Sequence, residues 1–377
     1  MRTELTSLDL YYLVKEFQVL VGARIDKIYE QEEDRNEFLF VFHKSSIGKY
    51  MLRFKLPRFV YLTDYKQAFP SSPPGFCVFL RKHLAGARIR EVKQKGFERI
   101  LEIVFNTKLG VRILICELFS KGNMILVDEN YMIKGLLKSQ NWQARTIRGG
   151  ARYEYPPEQP DTPTLSKEQI KNIITKSKKD ALVKILAVDL GLGGLYAEEL
   201  CKRAGVDKRK TRLDDEELTK IFTALKGLFN ERIRANLCNN ELLPFELLLY
   251  KNAEKKHYAA FNQALDDVLT EKIVNEAEAK IVKEKQNKED KIRLIIKKQE
   301  ERILSLERSI KDNQRKGELI YEHYHELKEL LDNINSDRKK LGWSGVKKKY
   351  QDNRLVRSID EKKGLIIIEL MEKKGGS

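Results

Sequence analysis

Residues 88–128 read RIREVKQKGFERILEIVFNTKLGVRILICELFSKGNMILVD. Four short runs within it, Ile89–Lys95, Arg99–Phe105, Val111–Leu118 and Met124–Val127, are rich in β-branched and aromatic residues and are separated by turns. Links this short join antiparallel neighbours, because a parallel return needs a crossover of a dozen residues or more. The same texture precedes them: Arg24–Tyr29, Glu37–Phe42, Lys49–Phe54 and Phe59–Thr63 read as strands. Two helices interrupt the pattern. One starts at Thr6-Ser7 and Asp9, with Leu8, Tyr12, Val14, Phe17 and Val21 on its buried face. The other is opened by Pro73-Pro74-Gly75 and runs roughly over Phe76–Leu84. The fold class is therefore α+β, with a mixed, mostly antiparallel sheet in a first domain spanning residues 1–163.

Gly149-Gly150 and Tyr155-Pro156-Pro157-Glu158-Gln159-Pro160 with Pro163 mark the exit from that domain. Residues 164–265 then read as helical. Inside them, Leu186-Ala187-Val188-Asp189-Leu190-Gly191-Leu192-Gly193-Gly194-Leu195-Tyr196-Ala197 has the form of helix, glycine turn, helix. Glycines at Gly191 and Gly193 suit a hairpin whose backbone N–H groups approach a phosphate. They equally suit an ordinary turn between two packed helices. The third region, residues 266–377, opens with a heptad seam: Ile292, Ile296, Gln299, Ile303, Leu306, Ile310, Asn313, Gly317, Ile320, Tyr324, Leu327, Leu331 and Ile334. A single helix from about Asp266 to Ser336 would be on the order of 100 Å long. Gly342-Trp343-Ser344-Gly345 is expected to end it, with a hairpin over Arg354–Ile359 and Gly364–Leu370 beyond.

Composition narrows the function. Net charge is +16 over 377 residues, which favours a polyanionic partner. Charged residues make up 34% of the chain, which suits a long solvated helix. No apolar run approaches the roughly 20 residues of a membrane span, and MRTELTSLDL lacks a secretory core, so neither a membrane partner nor export is expected. The spacing of Cys77, Cys116, Cys201 and Cys238 fits neither a zinc site nor a disulfide framework, and free thiols point to the cytoplasm. The chain carries no P-loop, no dinucleotide fingerprint and no nucleophile elbow; His43, His83, His257, His323 and His325 are scattered. No cofactor and no enzymatic role are expected.

Binding residues are easier to find. Arg81, Lys82, Arg88, Arg90, Lys93, Lys95 and Arg99 crowd one stretch against Glu91 and Glu98. Lys202, Arg203, Lys208, Arg209, Lys210 and Arg212 follow the glycine turn, with Asp207 among them. Such clusters neutralise phosphates, and they also serve as the solvated face of any basic protein.

Several strings resemble the NFACT family of ribosome-associated quality-control factors. They are Gly22-Ala23-Arg24-Ile25-Asp26-Lys27-Ile28-Tyr29, Pro74-Gly75-Phe76-Cys77 leading to Leu80-Arg81-Lys82-His83-Leu84, and Glu117-Leu118-Phe119-Ser120-Lys121-Gly122-Asn123. Arg152-Tyr153, Tyr196-Ala197-Glu198-Glu199 and Phe261-Asn262-Gln263-Ala264-Leu265-Asp266 continue the likeness in order. The resemblance implies an N-terminal domain similar to that of formamidopyrimidine-type glycosylases, then a helix-hairpin-helix domain and a coiled-coil arm. It implies binding to the large ribosomal subunit with stranded peptidyl-tRNA, and holding of tRNA for untemplated C-terminal tailing. Its tRNA-handling residues match Asp9 and, in place of an Asp-Arg pair, Glu98-Arg99, whose acid is one methylene longer. Asp9, three residues after Thr6, also fits a helix capping box. The family's returning helix and C-terminal RNA-binding domain have no counterpart before Ser377, so a truncated or shortened member is expected, its arm partly exposed or satisfied by another copy of the chain. A glycosylase-like DNA-binding protein would need an N-terminal catalytic amine and a four-cysteine zinc finger, which Met1-Arg2-Thr3 and the cysteine pattern do not offer. A coiled-coil scaffold or a fibronectin-binding adhesin is the remaining alternative.

Overall fold

A computed structural model of the protein describes residues 4–45, 47–141, 145–157 and 159–371. Met1, Arg2, Thr3, Glu158 and the end 372–377, all used in reading the sequence, lie outside the described residues. The chain divides into two compact units, Met1–Glu276 and Ala277–Ser377.

The first unit begins with helix α1 (Ser7–Phe17) and strands β1 (Arg24–Glu30), β2 (Glu37–Lys44), β3 (Gly48–Lys55) and β4 (Phe59–Leu62). Helix α2 (Gly75–Leu84) and strands β5 (Arg88–Gln94), β6 (Ile100–Thr107), β7 (Gly110–Glu117), β8 (Asn123–Asp128) and β9 (Ile133–Leu136) follow. All nine strands form one antiparallel sheet in the order β4-β3-β2-β1-β5-β6-β7-β8-β9. The expected strands and both expected helices are present, each strand end within two residues of its predicted position; α1 stops at Phe17, and Gln18–Leu20 form a 3-10 turn, so Val21 lies beyond the helix.

The order reveals a repeat. Helix plus four strands occurs twice, and the halves join where β1 meets β5, with Arg24 opposite Arg88. Gly22-Ala23-Arg24-Ile25 in one half answers Gly86-Ala87-Arg88-Ile89 in the other. Both glycines have positive φ, +87° and +65°, which releases the chain from each helix region into its strand. Each central strand then bulges at the same place, between Ile25 and Lys27 and between Ile89 and Glu91. The helices are exchanged between halves. Gln18, just after α1, donates its amide to the Val92 carbonyl of β5 at 2.9 Å, while Arg81 of α2 donates to the Ile28 carbonyl of β1 at 2.8 Å. Glu30 accepts from the Cys77 N–H at 2.9 Å, and its counterpart Gln94 donates to the Ser7 carbonyl at 2.9 Å. Antiparallel pairing of equivalent strands at equivalent residues relates the halves by an approximate two-fold axis.

Short pairs β10 (Gln140–Asn141) and β11 (Thr146–Ile147) lead to a helical section: α3 (Lys167–Lys176), α4 (Leu182–Lys184) running into a π-type turn over Ile185–Asp189, α5 (Gly193–Ala204) and α6 (Asp215–Asn230). A small sheet of β12 (Asn236–Cys238), β13 (Glu241–Leu243) and β14 (Lys256–His257) precedes helix α7 (Phe261–Glu322). The helices share one core with the sheet, running from Leu8, Phe40 and Phe105 to Leu200, Ile221 and Leu265. Ile100, Ile115 and Ile125 form a separate layer with Ile147 and Tyr153, so the middle strands are buried on both faces.

Helix ends decide how these parts join. The last carbonyls of a helix have no partner inside it. In α6 they are met by α1: Tyr12 donates its hydroxyl to the Leu228 carbonyl at 2.5 Å, and the Lys15 ammonium donates to Phe229 at 3.1 Å. Lys15 also lies 4.3 Å from the Tyr11 ring centre. At the start of α7, the two carboxylate oxygens of Glu16 accept the N–H groups of Phe261 and Asn262 at 2.8 and 2.7 Å. Burial pushes the Glu16 carboxyl upward in pKa, and these two amides hold it down. Asn262, Asp266 and Thr270 lie on one face of α7. Asn262 pairs both the N–H and the carbonyl of Leu62 on the edge strand β4 at 2.6 and 3.0 Å, and Asp266 accepts the Asp64 N–H at 3.3 Å. The open edge of the sheet is thereby covered.

The second unit holds the rest of α7, helix α8 (Tyr324–Tyr350) and a hairpin of β15 (Val356–Asp360) and β16 (Leu365–Ile368). The expected unbroken helix to Ser336 is interrupted at His323. Gly342 does break the helix, at φ 66°, but helix resumes after it, and Val346 and Tyr350 join Ile334, Val356 and Ile359 in a small core. Among the described residues no helix is long and apolar enough to cross a membrane.

Glu16→Ala strands two amides at the start of α7 and is expected to lower stability by about 1–3 kcal/mol. The exposed first-turn change Glu168→Ala should cost a few tenths of that scale. Urea denaturation of the two variants checks the difference.

Candidate nucleic-acid interface

The residues matched to tRNA handling stand around the first turn of α1. Thr6 caps the helix: its hydroxyl accepts the Asp9 N–H at 3.2 Å, and one Asp9 oxygen accepts both the Thr6 N–H at 2.8 Å and the Thr6 hydroxyl at 2.7 Å. The other oxygen accepts the hydroxyl of Tyr196, on α5, at 2.6 Å. Asp9 is 1% exposed and Tyr196 fully buried. The capping box read from Thr6 and Asp9 is therefore present, and it has a further duty: it ties α1 to the helix that follows the glycine turn. The carboxylate faces protein.

Arg99 sits beside the same segment. Its guanidinium is 2.8 Å from the Glu4 carboxylate and donates to the Leu5 carbonyl at 3.3 Å, with a quarter of the side chain exposed (25%). Glu98, adjacent in sequence, serves a different neighbour and accepts the Gln159 N–H at 3.2 Å. Burial raises its pKa, while the Gln159 amide and Arg99 lower it. Glu98 lines a groove of about 620 Å3 with Lys95, Tyr155, Pro156, Gln159 and Asp161. The Lys95 ammonium lies 4.7 Å from the Tyr155 ring centre, and the Tyr155 hydroxyl is fixed by Glu102. An aromatic ring, a cation and carboxylates in one open groove are the parts that stack a base, meet a phosphate and accept from a base amino group or ribose hydroxyl.

The glycine turn closes on this place from the other side. Gly191 and Gly193 have φ +68° and +74°, which explains the residue type. A Cβ on Gly191 would lie 3.6 Å from the Phe97 ring, and one on Gly193 would lie 3.5 Å from the Thr6 methyl. Thr162 donates to the Leu190 carbonyl at 2.7 Å. The turn thus packs on the β5–β6 connection and on the start of α1, so Asp9, Glu98, Arg99, Gly191 and Gly193 are brought to one joint.

The other candidate cations are spread more widely. Lys208 and Arg209 pair with Glu198 and Asp207 at 2.8 and 3.4 Å, and Lys210 pairs with Glu217. Arg81 lies 5.6 Å over the Tyr29 ring. Lys82, Arg88 and Arg90 face solvent; Arg88 also donates to the Gly22 carbonyl at 3.3 Å, and the bulge in β5 turns Arg90 and Glu91 outward together. Tyr155 and Asp161 escaped attention as site residues because they belong to the proline-rich exit. The signal available was an aromatic ring in a linker. Glu117 of the family string is buried, accepting from Arg145 at 2.7 Å and from Tyr153 at 2.8 Å, which gives it a structural task.

Asp9→Ala leaves the Tyr196 hydroxyl and the Thr6 N–H without this acceptor, and is expected to lower stability by about 2–4 kcal/mol. Tyr196→Phe should reproduce part of that loss, while Arg99→Ala should change stability by under about 1 kcal/mol. Chemical denaturation of the three variants checks the order.

Residues 6–373 match the family model for NFACT N-terminal and middle domains. The chain is 33% identical over 396 residues to the archaeal Rqc2 homolog aRqcH of Methanocaldococcus jannaschii, covering 98% of this chain and 58% of that protein. It is 28% identical over 223 residues to the ribosome quality control complex subunit NEMF homolog of Drosophila melanogaster, covering 58% of this chain and 22% of that protein. In fold it resembles the N-terminal part of the fibronectin/fibrinogen-binding protein of Streptococcus suis, with a TM-score of 0.59 at 24% identity, over 71% of this chain and all (100%) of that one. The chain thus spans little more than half the length of its archaeal relative. On the match across nearly its whole length, the chain belongs to the NFACT family.

Proposed function

We propose that the protein is a non-enzymatic factor of ribosome-associated quality control in the cytosol. It binds the large ribosomal subunit with stranded peptidyl-tRNA and holds tRNA for untemplated tailing of the stalled chain, the subunit itself making the peptide bonds. The observation that carries this reading is the match over 98% of the chain to an archaeal Rqc2 homolog. The groove at Glu98 supports it with stacking, cationic and carboxylate groups in one place. In this reading Glu98 and Arg99 meet tRNA directly, while Asp9 acts through Tyr196 by fixing the joint. Lys82, Arg88 and Arg90 supply phosphate contacts, and α4, the glycine turn and α5 act as a helix-hairpin-helix.

The long helix serves as one strand of a coiled-coil arm. Ile292, Ile296, Ile303, Leu306 and Ile310 are 48–64% exposed, and such a stripe is stable in water only against a second helix. That partner is a returning helix or a second copy of the chain.

Glu98→Ala with Arg99→Ala is expected to weaken tRNA binding about tenfold at low salt and to leave co-sedimentation with isolated large subunits unchanged. Binding isotherms across a salt series check this. Failure of the unaltered chain to bind either tRNA or large subunits at low salt would sink the reading.

A further inference from the structure

The repeat places two equivalent turns at the ends of β1 and β5. Gln31 donates to the Glu37 carbonyl at 3.0 Å to close the first, and Lys95 donates to the Ile100 carbonyl at 3.0 Å to close the second. The second turn carries Glu98-Arg99. The first carries Asp34-Arg35, an acid followed by arginine in the same setting. Each turn also lines a groove. The one at Asp34 has a volume of about 460 Å3 and is walled by the β3–β4 turn and the root of α7.

Its charge comes from three separate elements: Lys55 at the end of β3, Arg58 in the β3–β4 turn and Lys272 on α7, against Asp34 and Glu276. Arg58 and Lys272 are exposed, and among the described residues neither side chain has an ion-pair or hydrogen-bond partner. Lys55 is 4.0 Å from the Glu37 carboxylate, which Arg53 already holds. Arg58 and Lys272 are therefore not consumed internally, unlike Lys208, Arg209 and Lys210. The walls are held in place. Asn262 and Asp266 fix α7 to Leu62 and Asp64, and the β7–β8 turn presses on the β3–β4 turn so closely that a Cβ on Gly122 would come 2.8 Å from Leu56 Cβ and 3.0 Å from Pro57 Cα. Lys138, just after β9, adds charge to the corner: its ammonium donates to the carbonyl of Lys121 in that turn at 2.7 Å and lies near enough to Asp34 to feel its carboxylate.

We propose that this groove binds the phosphodiester backbone of RNA, as a second contact separate from the one at Glu98. Uncommitted cations on separate, fixed elements suit successive phosphates, and half-buried Phe59 lines the same groove. The proposal shares with the tRNA reading only the class of ligand.

The test uses the intact chain and two probes, labelled tRNA and a labelled single-stranded RNA oligonucleotide, with anisotropy measured across a salt series. Arg58→Gln with Lys272→Gln should weaken binding of both probes about tenfold and reduce the slope of log affinity against log salt by about 1.5. Arg58→Lys with Lys272→Arg should bind as the unaltered chain does, and unchanged thermal melts show that the neutral variant folds. Unaltered affinity and slope in the neutral variant overturn the proposal, as does absence of RNA binding by the parent chain. Displacement of RNA from the parent by an acidic peptide at equal charge concentration also overturns it, in favour of a protein partner. If Glu98→Ala with Arg99→Ala loses tRNA while the neutral groove variant binds normally, this inference fails and the tRNA reading stands. The reverse pattern keeps the groove and removes the tRNA site.

Discussion

Helix α1 is short, yet it supplies the groups that three other helices need. Tyr12 and Lys15 meet the last carbonyls of α6, Glu16 meets the first amides of α7, and Asp9 meets the Tyr196 hydroxyl of α5. Helix termini leave backbone groups that must be satisfied once water is excluded. By satisfying them from one helix, the chain joins sheet and helical section into a single core rather than two domains on a linker. The candidate interface exists only because of that joint, since Glu98 and the glycine turn come from opposite sides of it.

The sheet half of the unit is a duplication, with helices exchanged across the approximate two-fold axis. Exchange makes each half incomplete alone: α1 packs on β5 and α2 on β1 through the matched contacts of Gln18 and Arg81. The halves have since taken different neighbours. Beside the β5–β6 turn stand the proline-rich exit and the glycine turn; beside the β1–β2 turn stands the root of α7. One architecture thus presents two charged grooves with different walls.

Much of this was legible in the sequence, for physical reasons. Strands buried on one or both faces keep dense β-branched patterns, so every strand from β1 to β8 was readable. The repeat of Gly22-Ala23-Arg24-Ile25 at Gly86-Ala87-Arg88-Ile89 was equally visible and went unread, because only the pairing of β1 with β5 gives it meaning. Asp9 carried two readings, and its geometry is that of a capping box with one added tie. Lys208 and Lys210 looked like free cations because Glu198 and Glu217 reach them only once α5 and α6 are folded. The break at His323 had no local breaker such as proline or glycine beside it. Glycine at Gly342 did announce a kink, but a kink leaves open whether helix continues.

In the proposed function, Glu98 and Arg99 meet RNA and Asp9 holds the joint that positions them. The physical constraint beneath it is that α1 welds the sheet and the helices into one cooperative unit. Native-state hydrogen exchange on the intact chain addresses this most directly. With α1 as the weld, amides of α5 and α6 open together with those of β5 and β6, at one common free energy. Opening of α5 and α6 at lower free energy, with the sheet still protected, would contradict it.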